Sequence, residues 1–334
     1  MSATAGTAGA MRGRPADALL GFGRRNSWTL GLIGFLALLL LFTKLIQPSY
    51  GIPGIQGLAI SVLPLALAAV AQAIVVISGG IDLSIGSMMA LTSVTAAVLM
   101  DGRSEEFGIV VVVAVLVMGF ALGAINGALV VLTKVADIVV TLAMLFVWAG
   151  AALLVLRTPG GDSVDWLRDL VLGSVLVDFV PKAAVVLVVV VTVIWIPLRR
   201  TRLGLSLYAV GSDSLAAFRS GVSVGRTKFM AYALGGLFAA FAGLSLTAST
   251  GIGTPVPGPY TLQSVAAVVL GGVSLAGGRG GLAGPIIAVV ILQLVRTDMT
   301  FLNVNNNLAI VLQGFILIGV VMAGSLIEMR RRRA

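Results

Sequence analysis

One carboxylate and three glycines interrupt a long, predominantly apolar stretch of the sequence, which runs from Gly57 to Leu99. A charged group inside such a stretch is costly unless it meets a partner, a water-filled space or the membrane surface. The interruption around Asp82 is therefore a candidate functional site. Its candidate residues are Gly79, Gly80, Asp82, Ser84 and Gly86.

Two interpretations of this interruption are open from the sequence. Paired glycines lose helix propensity and allow positive φ, so Gly79-Gly80 can end one helix. Asp82 or Ser84 can then accept hydrogen bonds from the free N–H groups that open the next helix, which makes the segment a capped turn. Alternatively, the break and its carboxylate line a conducting route or touch a partner, as broken helices in transporters do.

A second glycine-rich segment, Gly271–Gly281, separates two apolar runs that are short for full membrane spans. Short, glycine-interrupted segments are the best sequence indication of a transport route. We expect this turn and Arg279 to sink toward the protein interior, on the same cytoplasmic side as Asp82, and a pairing of Arg279 with Asp82 is a hypothesis. The candidate residues are Gly271, Gly272, Gly277, Gly278, Arg279 and Gly280.

The longest and most basic connection between apolar runs is Arg199–Lys228. Within it, Ser212 or Asp213 can cap a short helix that ends at Gly221. Leu215 and Phe218 lie three residues apart on one face of that helix. They pack either among lipid headgroups or in a cleft of a partner protein. The residues that would couple to such a partner are Gly211, Asp213, Leu215, Ala216, Ala217, Phe218, Arg219 and Gly221.

Composition identifies the class of protein. The 334 residues are 58% hydrophobic and only 10% charged, whereas ordinary soluble domains carry about 25% charged residues. Because the chain has no Cys and no His, thiolate or imidazole metal sites and His- or Cys-based nucleophilic catalysis are excluded. It also lacks the G-x-x-x-x-G-K-[ST] motif, so it does not hydrolyse ATP by that route. The chain is expected to be a polytopic membrane protein, not an enzyme; an intramembrane enzyme that uses Ser/Lys or carboxylate pairs is the poorly supported alternative that the composition leaves open.

The apolar runs predict an all-α membrane fold with about ten transmembrane helices, some of them short or broken, because most runs can span a hydrocarbon core of roughly 30 Å. The runs are Ser27–Ile46, Gly57–Ile77, Leu83–Met100, Gly108–Leu132, Ile138–Leu156, Ala183–Leu198, Phe229–Ser249, Thr261–Ala276, Leu282–Val295 and Leu308–Ile327.

Basic residues fix the expected orientation. With both termini in the cytoplasm, most of the 22 Lys and Arg residues fall on the cytoplasmic side, as the positive-inside rule requires. The chain then divides into a cytoplasmic tail (1–26), a transmembrane domain (27–327) with a cytoplasmic loop (199–228), and a basic tail (328–334). The basic residues are dispersed between spans and form no single patch, so no nucleic-acid partner is expected.

Small residues mark close helix packing. Gly119, Gly123 and Gly127 recur at intervals of four, with Asn126 beside them. Such a stripe lets two helices approach closely in a membrane. It favours internal packing over a subunit interface.

Three segments together resemble a known family. Gly79–Leu91 is similar to a motif of the permease subunits of ribose-type sugar ABC importers. The likeness continues in Gly204–Gly221 followed by Tyr232–Gly243, and in Ala266–Gly284. The chain departs from the family at residues 212–215, where the family usually shows a Gly-Asn-Glu-Glu-like segment and this chain has Ser-Asp-Ser-Leu.

The resemblance implies an importer in the inner membrane of a bacterium. Its parts would be two permease subunits, identical or paralogous, a cytoplasmic ATPase with two nucleotide-binding domains, and an extracytoplasmic sugar-binding protein that sets specificity. ATP and Mg would bind to the ATPase, and this chain would need no cofactor or metal, only membrane lipids around it. The alternative is a stand-alone secondary transporter or facilitator of small polar solutes. A proton-coupled carrier normally keeps ionisable groups deep in its spans, whereas here the candidates lie at helix ends.

Overall fold

The computed structural model describes residues 27–175, 179–256 and 258–305, together with single residues between 308 and 322. Both predicted tails and most of the last apolar run lie outside these residues. The long helices are α1 (Ser27–Ile46), α2 (Ile52–Ile77), α3 (Ile85–Met100), α4 (Glu105–Thr133), α5 (Asp137–Val155), α7 (Lys182–Arg200), α10 (Val224–Thr250) and α12 (Ala283–Phe301). The shorter elements are α6 (Asp165–Asp169), β1 (Ser174–Val175), β2 (Val180–Pro181), α8 (Arg202–Ser212), α9 (Ser214–Arg219) and α11 (Tyr260–Leu270).

The helical membrane architecture is confirmed. Within the described ranges, seven helices are long and apolar enough to cross a membrane, while α3 and α11 are shorter apolar helices. Each predicted run up to Leu282–Val295 contains a helix, and α11 has only 11 residues. Short helices beside glycine-rich breaks are therefore a real feature of this fold.

Two helices, α2 and α10, form the centre of the fold. In α2, 89% of the most apolar stretch is buried, compared with 11% in α1. Helix α10 packs against α2, α3 and α4. By contrast α1, α4, α5 and α7 expose many large apolar side chains, as helices facing lipid do. The break after α2 and the loop before α10, which are described below, therefore adjoin the buried centre of the fold.

Glycines bring α4 and α10 into backbone contact. A Cβ atom on Gly123 would overlap the carbonyl oxygen of Tyr232 and lie 2.8 Å from the nitrogen of Gly236. Gly119 and Gly127 meet the same helix at Ala240 and Phe229. The stripe therefore serves internal packing, as predicted.

A leucine at position 123 should prevent this packing. The side chain has no space against Gly236, and overpacking of this kind costs about 1–3 kcal/mol or more. We expect Gly123→Leu to lose most of the monodisperse protein in detergent and to lower its melting temperature by at least about 5 °C. Gly150→Leu is the matched control, because no described atom lies within 4 Å of the place where its Cβ would stand. Equal stability of the two variants would contradict the packing role.

The segment between α5 and α7 contains the short helix α6. Trp166 in α6 donates its indole N–H to the carbonyl of Glu105 at 2.9 Å. The backbones of Gly160 and Gly253 pair in both directions. These contacts tie the segment to the start of α4 and to the chain that follows α10.

That chain, residues 251–256 and 258–259, descends beside α3 without forming a helix. Near its start the N–H of Thr254 faces the hydroxyl of Ser93 at 3.4 Å. Just after it, the hydroxyl of Thr261 accepts the N–H of Gly86 at 3.0 Å. Ser93 and Gly86 are about two turns apart on α3, so the descent covers roughly 10 Å. Non-helical backbone at such depth is tolerated where protein buries it or it lines an aqueous cavity, and the sequence did not predict it.

Candidate functional site

The break between α2 and α3 begins with a glycine helix stop. Gly79 has φ +82°, and the N–H groups of Gly79 and Gly80 donate to the carbonyls of Val76 (2.9 Å) and Val75 (3.1 Å). This pattern of hydrogen bonds is a Schellman motif. A Cβ on Gly80 would lie 2.7 Å from both a carboxylate oxygen of Asp137 and the hydroxyl of Tyr232. Gly79 is thus required for its positive φ, and Gly80 is required because no side chain fits beside Asp137 and Tyr232.

Asp82 is completely buried. Its Oδ1 accepts the backbone N–H and the hydroxyl of Ser84 at 2.8 and 2.7 Å. The amide nitrogen of Asn126 lies 2.7 Å from the Ser84 hydroxyl and 3.4 Å from Asp82 Oδ2. Asn126 in turn accepts the indole N–H of Trp148 at 3.2 Å. A buried polar chain therefore links the break to α4 and α5.

These hydrogen bonds decide between the two residues that were expected to cap α3, Asp82 and Ser84. Asp82 does cap, because it accepts the N–H of Ser84, the residue that precedes α3. The expectation that Ser84 caps with its own side chain is wrong, since its hydroxyl donates to Asp82. The predicted pairing of Asp82 with Arg279 is also wrong: Asp82 bonds to Ser84 and Asn126, and the ion pair found among the described residues joins Lys228 to Asp137.

A second polar cluster holds the other side of the break. The carbonyl of Ile81 accepts the hydroxyls of Thr141 (3.2 Å) and Tyr232 (3.4 Å). The Tyr232 hydroxyl also lies 3.0 Å from Asp137 Oδ2, which pairs with Lys228 at 3.2 Å. The break is thereby fixed between the start of α5 and the first turns of α10. The sequence analysis did not select these residues; the two charges at the ends of neighbouring apolar runs were the available signal.

Three segments meet at what we call the glycine junction: Gly79 of the break, Gly211 of α8, and Gly277 and Gly278 of the glycine-rich turn. The N–H of Gly278 donates to the carbonyl of Ile77 at 2.9 Å. A Cβ on Gly211 would overlap that same carbonyl, and a Cβ on Gly277 would lie 2.8 Å from the Cα of Gly79. The break, the loop 199–228 and the turn are therefore in direct backbone contact, which their separation in the sequence does not reveal.

The rest of the glycine-rich turn packs through its backbone. Gly271 abuts Gly284, Gly272 abuts the ring of Trp28, and the carbonyl of Gly280 accepts the hydroxyl of Tyr208 at 3.1 Å.

The expected burial of Arg279 is wrong, because its side chain is exposed. Glycines let the turn approach its neighbours closely, and this close approach requires the one long side chain to point outward. Burial therefore gives no reason for Arg279 to matter more than Arg226, which is also exposed.

The loop 199–228 has the predicted short helix, α9. The side chain of Asp213, not Ser212, caps it by accepting the N–H groups of Leu215 and Ala216 at 2.9 and 3.0 Å. Leu215 and Phe218 are 57% and 67% exposed. The two alanines differ: Ala216 is exposed, while Ala217 is buried against the chain itself. The apolar face that could seat in a partner is therefore formed by Leu215, Ala216 and Phe218.

A cavity of about 470 Å³ with a mixed polar and apolar lining opens at the opposite end of the helices, between α2, α10, α11 and α12. Its polar lining includes Ser61, Ser249, Thr250, Gln293, Arg296 and Thr297. Gln293 also ties α12 to α2 by donating to the carbonyl of Ser61 at 2.8 Å. The sequence analysis missed this cavity because its residues are spread over four helices, each with only one to four of them.

Comparison with known proteins identifies the family of this chain. Residues 54–321 match the family model described as "Branched-chain amino acid transport system / permease component". The ribose import permease protein of Escherichia coli K12 is 32% identical over 266 residues, which are 77% of this chain and 81% of that protein. Its namesake from Bacillus subtilis 168 is 32% identical over 300 residues, 86% of this chain and 89% of that protein.

A relative with another cargo in its name is the autoinducer 2 import system permease protein of Escherichia coli HS, 29% identical over 268 residues, 78% of this chain and 79% of that protein. No solved structure matches the chain. The resemblance that the three motifs indicated is confirmed. The chain therefore belongs to the membrane permease family of ABC importers that this model and the ribose import permeases represent.

Proposed function

We propose that this chain is the transmembrane subunit of an ABC importer for a monosaccharide or a related small polar solute. It would work in a bacterial inner membrane with a second permease subunit, a separate ATPase that binds ATP and Mg, and an extracytoplasmic binding protein. About ten spans with both termini in the cytoplasm complete the proposal. The observation that carries it is the glycine junction, which joins the cytoplasmic loop directly to the helix break.

The proposal needs a route from ATP hydrolysis to the transmembrane helices. An ATPase can bias a permease only through a contact whose energy differs between the inward- and outward-facing states. Helix α9 offers an exposed apolar face next to exposed arginines of the loop. The glycine junction lies close to α9, because Gly211 is near the end of α8 and only Asp213 separates α8 from α9. We therefore assign α9 as the ATPase contact and α8 as the element that transmits its movement.

Removing the apolar face of α9 should weaken assembly. Burial of a leucine or phenylalanine side chain contributes about 1.5–3 kcal/mol when it is complete. We expect the double variant Leu215→Ala/Phe218→Ala to lower the ATPase recovered with the permease at least tenfold. Ala216→Glu should assemble more weakly as well, whereas Leu154→Ala, a control at an 88% exposed position near the far end of α5, should behave as wild type.

Co-purification and ATPase stimulation by loaded binding protein are measured side by side. Wild-type values for both in the double variant and in Ala216→Glu would show that α9 lies on the membrane surface and not in an ATPase. The stand-alone transporter is tested separately with vesicles that contain only the purified chain. Concentrative or exchange uptake in those vesicles, without the ATPase, would support that alternative.

A further inference from the structure

Gln72 is a buried polar residue whose side chain has no hydrogen-bond partner among the described residues. It lies in α2 with no exposed surface, and neither its amide nitrogen nor its amide oxygen is paired with another described residue. Leaving such a group unpaired costs about 1–3 kcal/mol, so a buried unpaired amide needs an explanation. Most of its neighbours along α2 are buried and apolar, including Val70, Ala73 and Ile74.

Gln72 lies on the side of α2 that also lines the cavity between α2, α10, α11 and α12, which we call the outer cavity. It follows Ser61, which lines that cavity, by 11 residues, which is close to three full turns. Gln72 therefore lies about 16 Å deeper along the same side of α2. Between them on this face are Leu65 and Ala68, both buried. This face thus carries one polar side chain at the cavity, Ser61, then two apolar side chains, and a polar side chain again at Gln72.

Pro64 lies on this face where the cavity ends. A proline inside a helix cannot donate to the carbonyl four residues earlier, here that of Ile60, and it permits a local bend. Ile60 also lines the cavity. The helix is therefore least constrained by its own hydrogen bonds next to the apolar barrier formed by Leu65 and Ala68.

The lining favours a ligand rich in hydroxyl groups. The hydroxyls of Ser249, Thr297 and Thr300 all donate to carbonyls of their own helices, at 2.9, 2.9 and 3.0 Å. Their free lone pairs can therefore accept hydrogen bonds from a solute. The amide of Gln72 presents a donor and an acceptor side by side. Two adjacent hydroxyls of a solute, one donating and one accepting, match that amide.

We propose that Gln72 is the deep contact of a solute path that starts at the outer cavity and follows this face of α2. In the alternate state of the transporter the Leu65 and Ala68 barrier opens, and the Gln72 amide binds two neighbouring hydroxyls of a polyhydroxylated solute. The proposal rests on the proposed function, because opening requires a transport cycle. It assigns a solute-contacting residue within the membrane domain.

Thiol labelling tests the path directly, because the chain has no cysteine of its own. Single cysteines are placed at Ser61 in the cavity, at Gln72, and at Ile74, which is equally buried but faces nearly the opposite side of α2. The assembled complex is treated with a water-soluble methanethiosulfonate reagent, with and without ATP and vanadate. We expect Ser61→Cys to react in the resting state, Gln72→Cys in only one of the two states, and Ile74→Cys in neither.

Protection of Gln72→Cys in both states would overturn the proposal. Equal labelling of Gln72→Cys and Ile74→Cys would also overturn it, because that result reports general loosening of α2. Failure of the proposed function is recognised independently: the same preparations would then show no ATPase activity that responds to loaded binding protein.

Gln72→Leu supplies a second, independent measurement. It replaces an unpaired amide by an apolar group of similar size, so we expect an unchanged or higher melting temperature. Uptake should fall at least tenfold for the sugar that the wild-type complex transports fastest from a radiolabelled panel of aldopentoses, aldohexoses and polyols. A lower melting temperature would assign the amide a structural role, such as holding an internal water, and wild-type uptake would remove its role in the path. Either result would overturn the proposal.

Discussion

Replacing Asp82 with alanine should abolish transport while the protein still inserts and assembles. The substitution removes the acceptor for the N–H and hydroxyl of Ser84, and it leaves the link between the break and Asn126 incomplete. Loss of such buried hydrogen bonds costs about 1–3 kcal/mol, which a large membrane domain can survive. The break itself, however, would no longer hold α3 in one position relative to α4. Uptake in vesicles and the yield of assembled complex are the two measurements.

Two further variants distinguish between the possible reasons for a loss of transport in Asp82→Ala. Asp82→Asn keeps an oxygen that can accept from Ser84 but carries no charge, so transport at the wild-type rate would show that capping suffices. Asp101→Ala removes an exposed carboxylate beyond the other end of α3, and we expect little effect from it. If Asp82→Ala lost expression in parallel with transport, its role would be confined to folding.

Gly211→Ala is the second substitution with a large expected effect. Its Cβ would overlap the carbonyl of Ile77 and lie 2.5 Å from the nitrogen of Gly278, the two groups that are hydrogen bonded across the junction. The three segments must then separate. Because α9 and its exposed face are not altered, the ATPase should still bind, and its basal activity should persist. We expect uptake to fall by more than tenfold and stimulation by loaded binding protein to be lost.

Gly281→Ala is the matched control for this variant. It belongs to the same glycine-rich turn, but no described atom lies within 4 Å of its Cβ position and its φ is not positive. We expect wild-type uptake from it. Normal uptake in Gly211→Ala, or an equal defect in the two variants, would show that close contact at the junction does not transmit the movement of α9.

Local features of the fold could be read from the sequence. The helix stop at Gly79, the cap at Asp213 and the helix that follows it depend on the conformational freedom or hydrogen-bonding capacity of neighbouring residues. Such properties act over a few residues. The backbone contacts of Gly123 were also predictable, because a four-residue interval places small side chains on one helix face whatever the partner is.

The burial of whole helices was not predictable from the same information. Helices α1 and α2 are both strongly apolar, yet one is largely exposed and the other almost entirely buried. In a membrane, lipid tails are as apolar as a helix surface, so hydrophobicity does not distinguish a lipid-facing helix from a central one. The exposure of Arg279 likewise depends on how the glycine-rich turn packs, and the hydrophobicity of the apolar runs around the turn did not reveal it.

The sequence by itself determined the class of protein, the membrane runs, the glycine breaks and the family. Hydropathy, charge and helix-stop chemistry are properties of short segments, and they can be recognised without knowing which other segments these contact. Only the tertiary structure decided which distant residues meet: Asp82 with Asn126, Gly211 with Gly278, and Ser61 with Gln293. Those pairs are 44, 67 and 232 positions apart. They arise because helices pack in an order and at rotations set by the shape of the whole bundle, which no local pattern in the chain encodes.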